Sequence, residues 1–244
     1  MAAHGDPALP NDATSGTAGT GAADLLQGLL SARRSCRAFR PESVPRATLE
    51  RIVTIASLSA SWCNTQPWHV VITAGEETER LRRAIYDTAS SGGPAMPDLP
   101  FPERYAGASQ DRRRAAGELL YKHLQIEKSD FPARQRQMLE NYRFFGAPHV
   151  AFVTVDHDMG VYGVADCGIF IGSFLLAAQS LGVAAIPQAA LATVAPAVRD
   201  LLSLTDDRRL LCGISLGFAD EEHPACEVRT SRAALHEVSR FVGF

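Results

Sequence analysis

The sequence predicts an α/β or α+β domain, with a central sheet flanked by helices. Four short apolar, β-branched runs recur along the chain: 69–73 in "HVVITAG", "PHVAFVTVD" at 148–156, "GVAAIP" at 182–187 and "LLCGISLGF" at 210–218. Segments with helical spacing of apolar residues stand between them, the pattern of strands interleaved with helices. No internal repeat is visible, and 244 residues at 46% hydrophobic content are enough for one sizeable core.

Residues 1–22, "MAAHGDPALPNDATSGTAGTGA", are small, polar and rich in Gly, Pro and Thr, and predict a disordered tail. They lack the apolar stretch of a signal peptide and the arginines of a mitochondrial transit peptide. A single domain is expected over 23–244. It opens with "ADLLQGLLSARR", which sets Leu25, Leu26, Leu29 and Leu30 on one helical face. Pro45 suits the first turn of a second amphipathic helix, ending near Ser59. A charged helix follows the first strand, from about residue 76 to 90. "SSGGPAMPDLPFPERYAG" is then a long irregular loop, of a length that usually serves function. It begins an insert at about 91–145 that carries helical stretches at about 109–128 and 132–142. The second strand leads into an apolar helix from about 161 to 181. Its segment "CGIFIGSFLLAA" is too short to cross a bilayer and follows Asp166, so a buried core or interface helix is expected. "APAVRDLLSL" predicts a helix after the third strand. After the fourth, the tail "EVRTSRAALHEVSRFVGF" ends in one more.

Bulk chemistry excludes several function classes. A formal charge of −3 carries no basic excess for nucleic acid. The run Arg112-Arg113-Arg114 has acidic neighbours in Asp111 and Glu118 and reads as a solvated helix face. Five cysteines, an odd number without CxxC pairing, fit a reducing cytoplasm rather than a disulfide framework. Cys167 and Cys212 lie in apolar runs and read as core residues, and Cys63 as a small buried filler. Seven scattered histidines offer no metal-ligand spacing, so no metal is expected. No GxGxxG follows a strand and no phosphate-binding P-loop is present. "GISLG" at 213–217 matches a nucleophile elbow only as a string, because it sits inside a strand with no turn to expose Ser215.

Two clusters remain unexplained by packing. "RRSCRAF", Arg33 to Phe39, closes the first helix. Cations there complement the helix dipole by about 0.3–1 kcal/mol, and one arginine would serve. Three within five residues, with the Ser35 hydroxyl among them, also make a receptor for a phosphate dianion, which guanidinium groups grip bidentately. The second cluster is "SASWCNTQPWHVV", Ser59 to Val71. A plain connector needs turn residues, and it does not need Trp62 and Trp68.

"RRSCRAF" followed by "SxxNTQPW" resembles the FMN-dependent nitroreductase family, in its nitrobenzoate- and dinitroaniline-reducing branch. The resemblance continues through "FFGAPHVAFVTVD", "ADCGIFIGSFLLAAQSLGVAAIPQAAL" and "LLCGISLGFAD…RTSRAAL", in the expected order from Ala23 to Phe244. It implies a nitroreductase-like α+β fold, with a mixed, mainly antiparallel sheet flanked by helices, and an intertwined homodimer holding FMN at the interface. Carried over by position, Arg33, Arg34, Ser35 and Arg37 would bind FMN phosphate and ribityl, with Arg37 also near the flavin N1/O2 edge. Ser61, Trp62 and Asn64 would reach the flavin of the other subunit. Asp166 stands where the family often has a glutamine touching the cofactor. Pro187, Gln188, Ala189 and Ala190 match the turn against the flavin, with the Ala189 N–H as donor to N5. Arg229 and Arg232 match the basic pair that closes on the phosphate.

What the resemblance implies chemically is ping-pong two-electron transfer from NAD(P)H, with NADPH slightly favoured, to a nitroaromatic or a quinone. Nitro groups would pass through nitroso to hydroxylamine. The flavin carries the hydride, so no catalytic side chain is required. Trp62 would wall the substrate pocket with Phe101, Tyr105, Phe144 or Phe145, although core packing is an open alternative for these insert aromatics. Rival readings on the same scaffold are a reductive dehalogenase, for which "ELLYKHLQIEK" offers Glu118, Tyr121 and Lys122, or a flavin-fragmenting enzyme. A flavin-binding protein without turnover is the rival from another class. Neither a nucleic-acid nor a membrane partner is expected, and the location expected is the cytoplasm.

Overall fold

The computed structural model describes residues 20–244. Most of the expected tail, residues 1–19, lies outside the described residues, whereas residues 20–22 already belong to the first helix. The helices are α1 (Thr20–Ala32), α2 (Arg46–Ala56), α3 (Gly75–Ser90), α4 (Gly107–His123), α5 (Phe131–Leu139), α6 (Gly160–Ser180), α7 (Ala195–Leu202) and α8 (Leu235–Val238). The strands are β1 (Trp68–Thr73), β2 (His149–Asp156), β3 (Ala184–Gln188) and β4 (Arg208–Gly217).

The four strands form one sheet in the order β1-β2-β4-β3, and every neighbouring pair is antiparallel. The expected mixed character is reduced to one isolated parallel bridge, Ser35 to Ala185, where the chain after α1 lies along the edge strand β3. Side chains alternate across a strand, and both faces here are covered. Ala151 and Val153 of β2 enter a core with Leu49, Ile52, Phe170 and Phe174 from α2 and α6. Val150 and Phe152 enter the opposite core with Leu81, Ile85 and Val198 from α3 and α7. Burial on both sides explains why β2 reads as a continuous apolar run rather than an alternating one.

Several boundaries differ from expectation for identifiable reasons. Helix α2 stops at Ala56, three residues early, and a 3-10 turn over Trp62–Asn64 then starts the elbow. α4 ends at His123, with Gln125 at φ +54° breaking the helix. The Asp130 carboxylate caps α5 by accepting from Ala133 N at 2.9 Å, and a 3-10 segment, Glu140–Gly146, continues beyond Leu139. The C-terminal helix is a single turn, and 239–244 are not helical.

His149 ties the sheet to the chain before α2. Its Nε2 accepts from Val44 N at 2.9 Å, and its Nδ1 stands 3.1 Å from Thr73 O, so the ring is neutral and donates through Nδ1. Burial lowers its pKa below the ordinary histidine value.

Candidate functional site

The arginine cluster is assembled from both ends of the chain. Arg33, Arg34, Ser35 and Arg37 line one side of a cavity of about 620 Å³, and Arg229, Thr230 and Arg232 line the other. The N-terminal side is held to the sheet edge by Cys36 N donating to Ala185 O at 3.2 Å. The C-terminal side is held by the 3-10 turn Pro224–Cys226, which packs Cys226 against Cys36 and Ala38.

This cavity carries cations at a cost. Burial lowers the pKa of Arg33, and the neighbouring Arg232 lowers it further. Burial also lowers that of Arg37. Arg34 pairs with Glu221, yet its Nε is buried without a hydrogen-bond partner, the one such side-chain atom among the described residues. Arg229 and Arg232 donate only to nearby groups: Arg229 to Cys226 O and Val228 O, Arg232 to Thr230 and Ser231. Partly buried guanidinium groups with spare donors and one carboxylate between them are suited to a dianionic oxygen ligand. An FMN phosphate fits that donor set.

β3 runs from this cavity into the turn expected against the flavin. Pro187 and Gln188 close the strand, and Ala189 and Ala190 begin a 3-10 segment, Ala189–Val194. The N–H at the head of such a segment has no acceptor within it, so the exposed Ala189 offers a backbone donor. The Gln188 side chain is not available to a ligand. Its Nε2 donates to Asn141 O at 2.9 Å and its Oε1 accepts from Ser215 Oγ.

None of the elbow's residues lines the arginine cavity. Cys63, Asn64 and Gln66 all take positive φ, at 50°, 57° and 46°. Such backbone costs roughly 1–2 kcal/mol per residue and persists only where the surroundings fix it. Here the buried Asp166 carboxylate on α6 accepts from Trp62 N at 3.1 Å, and Ser61 Oγ accepts from Gln66 N at 3.0 Å. Asp166 therefore positions the elbow, a role its sequence position did not reveal. Trp62 stands 55% exposed, edge-on to Tyr162 with ring centroids 4.5 Å apart. Trp68 instead stacks on Phe170 in the core at 5.0 Å. Cys63 is exposed, against the expectation of a buried filler. Cys167 and Cys212 are core thiols as expected, pushed up to about 12 by burial.

The insert aromatics divide. Phe101 and Tyr105 are exposed on the loop before α4, and Arg113 lies over the Tyr105 ring at 5.0 Å. Phe144 is completely buried, edge-on to Phe152 in the core, and is corrected from pocket wall to core residue. Phe145 is also buried, with 7% of its surface accessible. Glu118, Tyr121 and Lys122 line a separate basic cavity between α4 and α5 with Arg113, Arg114 and Arg134. Sequence reasoning missed Thr230 in the arginine cavity, Glu221 against Arg34, and Tyr162 against Trp62. Thr230, lying between two assigned arginines, was the most readable of these.

The nitroreductase family model matches residues 30–218. Nitroreductase NfnB of Mycolicibacterium smegmatis is 37% identical over 220 residues, covering 90% of this chain and 93% of that protein. A 4-nitrobenzoate reductase of Pseudomonas putida is 34% identical, covering 91% of this chain and 97% of its own. Among solved structures, the FMN-dependent nitroreductase NfnB of Mycobacterium smegmatis in complex with NADPH superposes with a TM-score of 0.86. It is 36% identical and covers 91% of this chain and 99% of the other.

Proposed function

The chain belongs to the nitroreductase family, and we propose that it is an FMN-dependent, NAD(P)H-consuming oxidoreductase that reduces nitroaromatic compounds. The carrying observation is the cavity in which Arg33, Arg34 and Arg37 meet Arg229 and Arg232, with the buried Arg34 Nε lacking a partner. The names of its relatives, a nitroreductase crystallised with NADPH and a 4-nitrobenzoate reductase, support the same donor and substrate class.

FMN, when bound, supplies two-electron hydride chemistry between the nicotinamide and the nitro group. The protein's part is to bind and to place. Arg33, Arg34, Ser35, Arg37, Arg229 and Arg232 hold the phosphate and ribityl end. Pro187, Gln188, Ala189 and Ala190 would form the turn against the flavin, with Ala189 N–H as donor, and the Gln188 side chain braces that turn from inside. Ser61, Trp62 and Asn64, fixed by Asp166, complete the site of a partner copy in a homodimer. The exposed Trp62 walls the pocket, with Phe101 and Tyr105 as further aromatics. Nicotinamide and acceptor use this pocket in turn, NADPH being slightly favoured, and the nitro group passes through nitroso to hydroxylamine. Quinones are a second acceptor class, and the cytoplasm is the proposed location.

Steady-state kinetics test this reading. Purified protein reconstituted with FMN is assayed with NADPH and NADH against nitrobenzoate, nitrobenzene, a quinone and halotyrosine. Nitroaromatic-dependent NADPH oxidation, with parallel lines in double-reciprocal plots, is expected. Turnover of halotyrosine alone, or no turnover by fully flavinylated protein, overturns it.

A further inference from the structure

Cys36 and Cys226 are 190 residues apart in sequence, yet their sulfur atoms lie 3.7 Å apart in a small cluster with Ala38, packed by the partly buried Phe39, Ala184 and Ala219. Both are buried, and both approach Ala38 O, at 3.0 and 3.6 Å. Their positions in the fold give the contact meaning. Cys36 belongs to the segment that presents Arg33, Arg34 and Arg37 to the cavity. Cys226 ends the 3-10 turn that leads to Arg229 and Arg232, and the Arg229 guanidinium donates to Cys226 O at 2.8 Å. The two thiols thus make a direct side-chain contact between the segments that carry the two walls of the arginine cavity, as Arg34 and Glu221 also do.

We propose that Cys36 and Cys226 are an oxidisable thiol pair, converted by a hydroperoxide to an intramolecular disulfide that locks the two arginine walls together. The sulfurs need to close from 3.7 Å to a bond of about 2.05 Å. The Cys226 thiolate attacks the peroxide O–O bond and becomes a sulfenic acid, releasing hydroxide. The Cys36 thiol then displaces that oxygen, and the S–S bond forms as water leaves. In sum, two thiols and one hydrogen peroxide give one disulfide and two waters. The local chemistry favours Cys226 as the attacking sulfur. The hydrogen bond from Cys36 lowers its pKa, and the Arg34 charge acts in the same direction. Cys36 is raised by the same contact and by burial, so it keeps its proton until the second step.

The consequence for the cofactor rests on the FMN reading; the cross-link itself does not. Arg229 and Arg232 make only local hydrogen bonds, so their side chains do not tie the C-terminal wall to the other, and that wall is left able to open as the phosphate leaves. A covalent tie at Cys226 restrains that opening.

Full-length protein with Cys63→Ser, which removes the exposed thiol, is treated with hydrogen peroxide in its folded state and quenched with an alkylating agent. Non-reducing mass spectrometry of the digest is expected to show a peptide joining Cys36 to Cys226, absent when either is changed to Ser. FMN release into excess buffer is expected to slow about tenfold, and dithiothreitol to restore it. The chain that retains Cys63 serves as control for the oxidant. Complete oxidation of Cys63 there, with no Cys36–Cys226 peptide in the test protein, overturns the proposal. So does a quantitative cross-link that leaves FMN release unchanged. A chain that cross-links but never binds FMN refutes the FMN reading and the lock on it, while the oxidisable pair stands.

Discussion

At the scale of single residues, the site depends on groups whose demands are only partly met inside the chain. Arg34 has one donor on Glu221 and one buried Nε with nothing to bond. Arg34→Ala is expected to weaken FMN binding about 10- to 100-fold, in line with about 1.5–3 kcal/mol for a charge-assisted bond. Glu221→Gln removes a competing carboxylate and should leave affinity unchanged or tighter. Fluorescence titration of apoprotein with FMN separates these outcomes, and equal losses in both variants would refute the division of roles. Asp166 acts differently, through the backbone it holds. Asp166→Ala leaves Trp62 N without its acceptor, a loss of about 1–3 kcal/mol, while Asp166→Asn keeps an acceptor oxygen and should cost less. Thermal melts of the pair check this, and a rise in nitroaromatic KM in the alanine variant alone would show that Asp166 steadies the pocket wall. Residue identity announced the arginines at once. It could not announce Asp166, because a carboxylate accepting one backbone N–H from a distant loop leaves no local pattern.

At the scale of elements, the sheet owes its legibility to burial on both faces. β2 is apolar throughout because α2 and α6 cover one side and α3 and α7 the other, so it could be read directly as a buried strand. Strand direction could not be read, since interleaved helices fit parallel and antiparallel sheets alike. The C-terminal helix is present but limited to one turn, Leu235–Val238, for a related reason. "RAALHEVSRF" has helical composition, but Leu235 and Val238 are both 66% exposed, so little burial supports a longer helix. The turn after β3 depends on close approach by β4. A Cβ on Gly213 would collide with the Leu191 side chain, which follows directly on the Ala189–Ala190 turn. Gly213→Val is therefore expected to lower stability and to weaken FMN binding together. A variant that melts early yet binds FMN normally would show that the turn is insulated from β4. His149 adds a pH dependence to the join between β1, β2 and the chain before α2. Its folded pKa is depressed, so the unfolded chain takes up the proton first as pH falls. Stability is complete above the ordinary histidine value of about 6.5 and declines below it. Urea denaturation at pH 7.5 and pH 5.5 is expected to show a loss that shrinks in His149→Gln.

At the scale of the whole molecule, apolar side chains stand exposed along two packed helices, α6 and α1. Helix α6 is long and apolar enough to cross a bilayer by length and composition, but it packs on α2 and the sheet, with Val161 74%, Tyr162 60% and Ile169 50% exposed along its outer side. α1, which contacts α6, leaves Leu25 67%, Leu26 51% and Leu30 51% exposed. Exposed apolar side chains of this size and number mark an association surface. The site supplies the second half of the argument, since no residue of the elbow lines the arginine cavity of its own chain. If the elbow serves a neighbour's flavin, association and cofactor retention must fail together. Light scattering is expected to give twice the 26.3 kDa chain mass. Ile169→Glu places a carboxylate in the middle of the outer face of α6 and should shift the mass to that of one chain. Because the helix stays packed on its own sheet, circular dichroism should keep the helical signal. Flavin absorbance should fall in the same fractions in which the mass falls. A single-chain species that keeps its FMN and reduces nitroaromatics at the wild-type rate would overturn the shared site and leave the exposed face of α6 to a different partner.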